Sequence, residues 1–217
     1  MGKVNYVLGK LVRRESKLPI SKENMATKSN IRRNNLTPKY TAPDVYTDGV
    51  YRTPVPMEKV SAFGSHFISP AHQGGIRHAV DFYVPEGTEV RAPAAGTVIR
   101  FKEDSDAHGL TKRYWLLGND ILIKCSNGEY VSLEHLQHNF ATKLGLGAGQ
   151  RVGQGEIIGI SGVTGYAEFP HVHTEVLKFV GNARSKASLA NYKNYVTKKI
   201  RFSRKDIPFD LYREESR

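Results

Sequence analysis

Short apolar stretches separated by turn residues dominate the centre of the chain. Between residues 63 and 179 they are interrupted at close intervals by Gly, Pro, Asn and Asp. Stretches this short, rich in Val, Ile and Tyr, predict β-strands rather than helices. The predicted strands are Val80–Val84, Glu89–Ala92, Gly96–Phe101, Asp120–Cys125, Tyr130–Leu133, Glu156–Ile160 and His171–Phe179.

The connections between these strands predict an antiparallel arrangement. Ser126-Asn127-Gly128-Glu129 separates two of them, and Asn-Gly readily adopts the positive φ angles of a tight hairpin turn. No connection reads as a crossover helix. The chain is therefore predicted to be all-β, an antiparallel β-sandwich or split barrel with irregular basic extensions at both ends.

The two ends of the chain differ from its centre. The first 40 residues show no sustained helical or strand period, and the residues after them carry three prolines, which predicts a basic arm and then an extended linker. The far end predicts one short helix, Lys186–Lys199, and a charged tail. The predicted division is an arm and linker over residues 1–58, a folded domain over 59–180 and a basic extension over 181–217.

Charge is segregated along the chain in the same way. The 217 residues carry a formal net charge of +11, made up of +8 in residues 1–40, −4 in residues 41–177 and +7 in residues 178–217. A positive excess favours an anionic partner. Because the folded centre is acidic, nucleic-acid binding is not expected there. The basic ends are the parts that could contact an anionic cell-wall polymer.

Several classes of protein are excluded. No apolar run reaches the roughly 18–20 residues that cross a bilayer, so no transmembrane segment is predicted. The apolar positions of residues 1–14 are broken up, and no secretory signal peptide is predicted. A single cysteine, Cys125, excludes an internal disulfide and a CxxC zinc cluster. The stretch Ala92–Val98 echoes a biotinyl or lipoyl carrier, but no Met is followed by the Lys that such carriers need.

The histidines carry the chemical signal, since all eight lie in the central segment. In His171-Val172-His173 both imidazoles point to one face of a strand, because side chains repeat every two residues. Asp81 lies in an otherwise apolar strand, where a buried carboxylate needs a partner. His135 follows the second strand of the predicted hairpin. Two or three such ligands with an open position are the pattern of a catalytic zinc site.

Four motifs, in order and with consistent spacing, carry a family resemblance. They are Ser61-Ala62-Phe63-Gly64, Ala79-Val80-Asp81-Phe82, Glu134-His135-Leu136 and Pro170-His171-Val172-His173-Thr174-Glu175. Over about residues 60–179 the chain resembles the lysostaphin-type (LytM-like) zinc metallopeptidases, which include Gly-Gly endopeptidases. The resemblance implies their fold, a Zn²⁺ cofactor and hydrolysis of peptide bonds in peptidoglycan cross-links. It implies action at the cell envelope, with cytoplasmic location or phage release as alternatives.

The resemblance also assigns residues to roles. Asp81 and His173 match zinc ligands of the family, and His135 and His171 match its two non-ligand histidines. We expect His171 to be the general base and His135 to stabilise the oxyanion or protonate the leaving group, although these two roles are exchangeable. His66, His108 and His138 are expected to be surface or structural residues.

The first histidine ligand departs from the family pattern. The usual motif places a histidine four positions before the aspartate, where this chain has Arg77. His78 could replace it if the strand carried a bulge, and His72 could reach in from the preceding loop. Both alternatives stay open at this point. The departure also leaves a second hypothesis for function, a catalytically degenerate domain that acts as a cell-wall-binding or scaffold module.

Overall fold

A computed structural model describes residues 42–65, 69–180 and 194–214. The N-terminal basic arm lies outside these ranges. The strands are β1 (Ala62–Gly64), β2 (Val80–Tyr83), β3 (Glu89–Arg91), β4 (Gly96–Lys102), β5 (Asp120–Cys125), β6 (Tyr130–Glu134), β7 (Arg151–Val152), β8 (Ile157–Ile160), β9 (His171–Phe179) and β10 (Tyr195–Thr197). The helices are α1 (Phe140–Leu144) and α2 (Leu211–Glu214), with 3₁₀ turns at Met57–Lys59, Gly74–Ile76 and Lys112–Tyr114.

The strands form one large antiparallel sheet and one small one. The large sheet has the order β1-β2-β9-β6-β5-β4-β7, and β10 pairs with the end of β9. β3 and β8 form the two-stranded sheet. This confirms the predicted all-β antiparallel fold, and all seven predicted strands are present. Within the described ranges, no helix is long and apolar enough to pass through a bilayer.

The large sheet has an apolar face and a polar face, and the alternation along its strands decides which residue lies on which. Val172 and Val176 of β9 pack into the main core with Phe82 and Leu133 from the neighbouring strands. The alternate residues of β9, starting with His171, therefore point to the opposite face. The polar side chains singled out in the sequence consequently share the face that the main core does not use.

The C-terminal extension continues the fold. The predicted helix Lys186–Lys199 is wrong at its end, because residues 195–197 form β10 against β9. Its earlier part, 186–193, lies outside the described residues. Tyr195 packs with Leu122, Tyr130 and Leu177 in a second apolar cluster, and this burial favours a strand over the helical pattern.

The predicted linker runs beside the C-terminal extension. Tyr46 forms an isolated parallel β-bridge with Lys199, and Tyr51 forms another with Phe202. Glu129 of the β5–β6 hairpin ties the two segments together, since it accepts hydrogen bonds from the Tyr51 hydroxyl at 2.6 Å and the Lys198 ammonium at 2.7 Å. The linker and the C-terminal extension therefore pack together beside the β5–β6 hairpin.

Candidate metal centre and active site

Three side chains from distant parts of the sequence meet on the polar face. β2 and β9 pair so that Asp81 lies opposite His173, and His173 Nδ1 is 2.9 Å from Asp81 Oδ1. His72, in the loop that precedes β2, completes the group. Its Nε2 lies 3.2 Å from Asp81 Oδ1 and 3.1 Å from His173 Nδ1. All three side chains are buried.

This donor set fits a zinc ion. Two imidazole nitrogens and one carboxylate oxygen are ligands that Zn²⁺ prefers, at bond lengths of about 2.0–2.2 Å. Ligand atoms of one tetrahedral ion then lie roughly 3–3.5 Å apart, and the separations of 2.9–3.2 Å among His72, Asp81 and His173 match that spacing. The residues present could hold the metal with a further position open to water or substrate.

The electrostatics of the group favour a bound cation. Burial alone would raise the pKa of Asp81, but the adjacent charge of His72 and hydrogen bonds with His173 and His72 hold it well below its usual value. Burial alone would lower the pKa of His173, whereas its contacts with Asp81 and Glu175 hold it well above. The carboxylate thus stays ionised, and a metal ion would take the place of the proton on His173.

His135 and His171 lie beside this group. The ring centroids of His135 and His171 are 4.5 Å apart, and those of His135 and His173 are 5.9 Å apart. His171 Nε2 is 3.8 Å from Asp81 Oδ1. His135 directly follows β6, and its positive φ of 66° turns the chain out of the strand. The structure therefore brings together five of the six residues singled out from the sequence.

Backbone carbonyls fix the tautomers of these two histidines. His135 Nδ1 lies 2.7 Å from the Thr164 carbonyl oxygen, and His171 Nδ1 lies 2.8 Å from the Phe169 carbonyl oxygen. A carbonyl only accepts hydrogen bonds, so each Nδ1 must carry a proton. In the neutral rings Nε2 then keeps its lone pair. The ring of Tyr83 stacks on His171 at 5.1 Å and helps to set its plane.

Burial keeps both rings uncharged. It lowers the pKa of His135 well below the usual value, with the charges of His171 and His173 acting in the same direction. It also lowers the pKa of His171, against the opposing effect of Asp81. Near neutral pH each ring therefore offers a proton acceptor at Nε2.

His78 is the one candidate that the structure places elsewhere. Its Nε2 faces the Pro43 carbonyl oxygen at 3.1 Å, and its ring packs edge-on against Tyr212 at 5.7 Å. His78 lies in the turn before β2, which begins at Val80. Its contacts with Pro43 and Tyr212 hold the ring away from Asp81. His72, and not His78, lies beside Asp81 and His173.

Four residues around the cluster have no role predicted from the sequence: Glu134, Glu175, Asn119 and Thr164. Glu175 Oε1 lies 3.3 Å from His173 Nε2, and Glu134 of β6 lies opposite His173 of β9. The sequence offered one signal for Glu175, because a residue two positions after His173 in a strand lies on the same face. Asn119 and Thr164 were missed because nothing local marks them. The Asn119 backbone N–H donates to Thr164 Oγ1 at 2.9 Å. This bond supports the loop whose Thr164 carbonyl holds His135.

The remaining histidines do not join the site where they are described. His108 is exposed, and His138 Nδ1 pairs with Asp106 Oδ2 at 2.9 Å with its side chain 40% exposed. His66 lies outside the described residues. Arg77, at the position of the usual first ligand, pairs with Asp44 at 3.3 Å and stays on the surface.

Comparison with known proteins identifies the sequence family. The sequence model of Peptidase family M23 matches residues 75–187, just over half of the chain. DD-carboxypeptidase/endopeptidase Mpg of Neisseria meningitidis is 33% identical over 115 residues, 53% of this chain and 23% of the relative. Glycyl-glycine endopeptidase ALE-1 of Staphylococcus capitis is 30% identical over 142 residues, 58% of this chain and 36% of the relative. The matches thus span about a quarter to a third of these curated relatives.

Two further similarities concern peptidases. Peptidoglycan DD-endopeptidase ShyA of Vibrio cholerae is 30% identical over 100 residues, 46% of this chain and 20% of that protein. Among solved structures, the catalytic domain of the antimicrobial peptidase lysostaphin from Staphylococcus simulans is 23% identical. That alignment covers 69% of this chain and 86% of the lysostaphin domain, with a TM-score of 0.39.

Proposed function

The chain belongs to peptidase family M23, and we propose that it is a zinc-dependent endopeptidase that hydrolyses peptide bonds in peptidoglycan cross-links. The observation that carries the proposal is the convergence of His72 Nε2, Asp81 Oδ1 and His173 Nδ1 within 3.2 Å of one another. Two neutral histidines beside that group supply the remaining parts of a hydrolytic site. Peptidoglycan as substrate is taken from the activities named for the relatives.

The three clustered residues would hold the metal. His72, Asp81 and His173 would hold a zinc ion, which would supply the Lewis acidity that activates a water molecule and the scissile carbonyl. Asp81 also neutralises part of the added charge, which makes binding of the cation in this buried position favourable. The three residues lie on the face of the sheet opposite the main apolar core.

His171 and His135 would move the protons. Each ring has its Nδ1 proton committed to a backbone carbonyl, so Nε2 is the atom that can accept a proton from the attacking water. His171 is assigned as the base, because its Nε2 points toward the cluster at 3.8 Å from Asp81. His135 is uncharged near neutral pH, so it would donate from Nε2 to the oxyanion or to the leaving amine only after gaining a proton there during the reaction.

Digestion of purified cross-linked peptidoglycan tests the proposal. The metal-free protein is reconstituted with one equivalent of Zn²⁺, and released muropeptides are identified by mass spectrometry. We expect cleavage with zinc, none after chelation and none from His171→Ala in its zinc-loaded form. Binding of intact peptidoglycan by the zinc-loaded wild type without any released product would contradict the proposal and favour the degenerate binding module.

A further inference from the structure

The two ring nitrogens of His173 face different partners. Nδ1 points to Asp81 and His72, whereas Nε2 points away from them and lies 3.3 Å from Glu175 Oε1. An imidazole that gives one nitrogen to a metal carries its proton on the other. The proton on Nε2 therefore needs an acceptor on the far side of the ring, and Glu175 is the group that lies there.

Glu175 is an unusual residue to find in this position. Its side chain is 0% exposed, and neither carboxylate oxygen makes a hydrogen bond to any residue in the described ranges. Burying a carboxylate without a partner is costly, so such a group is expected to interact with a nearby donor. Its 3.3 Å contact with His173 Nε2 is the interaction that the structure offers.

The geometry of β9 explains how Glu175 comes to this place. It follows His173 by two residues, so both side chains lie on the same face of the strand. Glu134 lies opposite His173 on β6, and one of its carboxylate oxygens lies within 4.8 Å of a ring nitrogen of His173. The ligand histidine is thus flanked by Asp81 on its metal side and by two glutamates on its outer side.

We propose that Glu175 is a positioning residue that holds the proton of His173 on Nε2 and so aims Nδ1 at the metal. This inference rests on the proposed zinc site and goes beyond it, because it assigns a task to a residue outside the ligand set. Glu134 strengthens the same arrangement from the neighbouring strand. Removing such an outer carboxylate weakens metal binding by about 10- to 100-fold in comparable sites.

Zinc affinity of the full chain tests the inference. Competition with a chromogenic chelator gives the dissociation constant of wild type, Glu175→Ala and Glu175→Gln. Thr174→Val is the matched control, since Thr174 is buried on the same strand but faces the main core side. We expect Glu175→Ala to weaken zinc binding by about 10- to 100-fold. Glu175→Gln should lie between it and wild type, because an amide oxygen still accepts a hydrogen bond, and Thr174→Val should bind as wild type does.

A spectroscopic readout separates positioning from general damage to the fold. Long-range ¹H–¹⁵N spectra of the zinc-loaded protein report which nitrogen of His173 carries the proton. We expect Nε2–H in wild type and a shifted or mixed state in the Glu175 variants, with metal-free melting curves that retain cooperative unfolding. If Glu175→Ala does not fold, Glu175→Gln carries the test alone.

The outcomes discriminate between the two proposals. Equal zinc affinity and an unchanged His173 proton in the Glu175 variants would overturn this inference while leaving the zinc site in place. Two zinc ions per wild-type chain, with one held by Glu134 and Glu175, would also overturn it. A wild-type chain that binds no zinc would overturn the proposed function and this inference together.

Discussion

His72 Nε2 lies 3.1 Å from His173 Nδ1, although 101 residues separate the two in the sequence. The strand pairing of β2 with β9 brings Asp81 to the same point and leaves three ligand atoms in mutual contact. This relationship favours His72 over His78 as the first ligand of the proposed metal, in a chain that has Arg77 at the family's usual ligand position.

The two candidate first ligands can be distinguished by zinc binding. His72→Ala removes one of the three proposed ligand atoms. We expect its zinc affinity to fall by more than about 100-fold, because losing a ligand should cost more than losing a residue that only hydrogen-bonds to a ligand. His78→Ala should retain one zinc per chain. Its cost should be in stability, because the His78 ring packs against Tyr212. Zinc content after dialysis, together with unfolding in urea, measures both. Loss of zinc from His78→Ala alone would contradict the assignment.

The two non-ligand histidines should separate binding from turnover. In His135→Ala and His171→Ala the three clustered ligand atoms remain, so each variant should bind one zinc ion. Turnover should fall by about 10²- to 10⁴-fold in each, the usual contribution of a positioned acid or base. The measurement is the rate of product release at saturating substrate, alongside metal analysis. Loss of zinc in both variants would show that ligands and proton-transfer groups have been confused.

Gly165 should be intolerant of a side chain because of what it touches. Its φ is +86°, and a Cβ there would lie 2.6 Å from Gly118 Cα. Gly155 has the matched φ of +85° with no atom within 4 Å of a Cβ, so Gly155→Ala should cost only the left-handed backbone term of about 1–2 kcal/mol.

Gly165→Ala adds backbone overlap to that same term, at about 1–3 kcal/mol more. It should also displace the neighbouring Thr164 carbonyl that holds His135 Nδ1. Urea unfolding and turnover check the two effects. Equal stability of Gly165→Ala and Gly155→Ala, with full activity in both, would contradict the close approach.

Glu129 should make the fold sensitive to acid. Burial alone would raise its pKa, but hydrogen bonds from Lys198 and Tyr51 lower it to about 2. Since the folded pKa lies below the unfolded one, this carboxylate stabilises the fold above about pH 4.5, and the contribution is lost as the pH falls toward 2. The full shift would correspond to about 3 kcal/mol at neutral pH, and solvent screening should reduce the contribution to about 1–2 kcal/mol.

Glu129→Gln tests this pH dependence. The variant should lose that stability at neutral pH and show a flatter fall in stability below pH 4.5. Glu89→Gln is the control, because the Glu89–Arg91 pair is about half exposed and worth little. Chemical unfolding at several pH values supplies the data. The same acid slope in Glu129→Gln and wild type would refute the role of this network.

The sequence predicted the parts of this site that depend on local alternation. His171 and His173 share a face because they are two positions apart in a strand, and the apolar pattern marks that strand. The choice between His72 and His78 depends on contacts that no local pattern contains. His78 is held away from the cluster by Pro43 and Tyr212.

The short elements outside the predicted set have the same explanation. β10 forms because Tyr195 packs against Tyr130 and Phe179, which lie in other strands. A strand of three residues is too short for its hydrophobic pattern to be recognised, so the sequence predicted a helix over this segment. The sequence also gave no role to Glu175, because its role depends on which nitrogen of His173 faces it, and only the folded structure shows that.

The most direct test of the account is the position of the metal itself. Anomalous diffraction at the zinc edge from crystals of the zinc-loaded chain locates the ion and its ligand atoms. We predict one zinc ion coordinated by His72 Nε2, Asp81 Oδ1 and His173 Nδ1, with His135 and His171 nearby but not bound. A zinc ion coordinated by His78, or one bound away from Asp81 and His173, would contradict it.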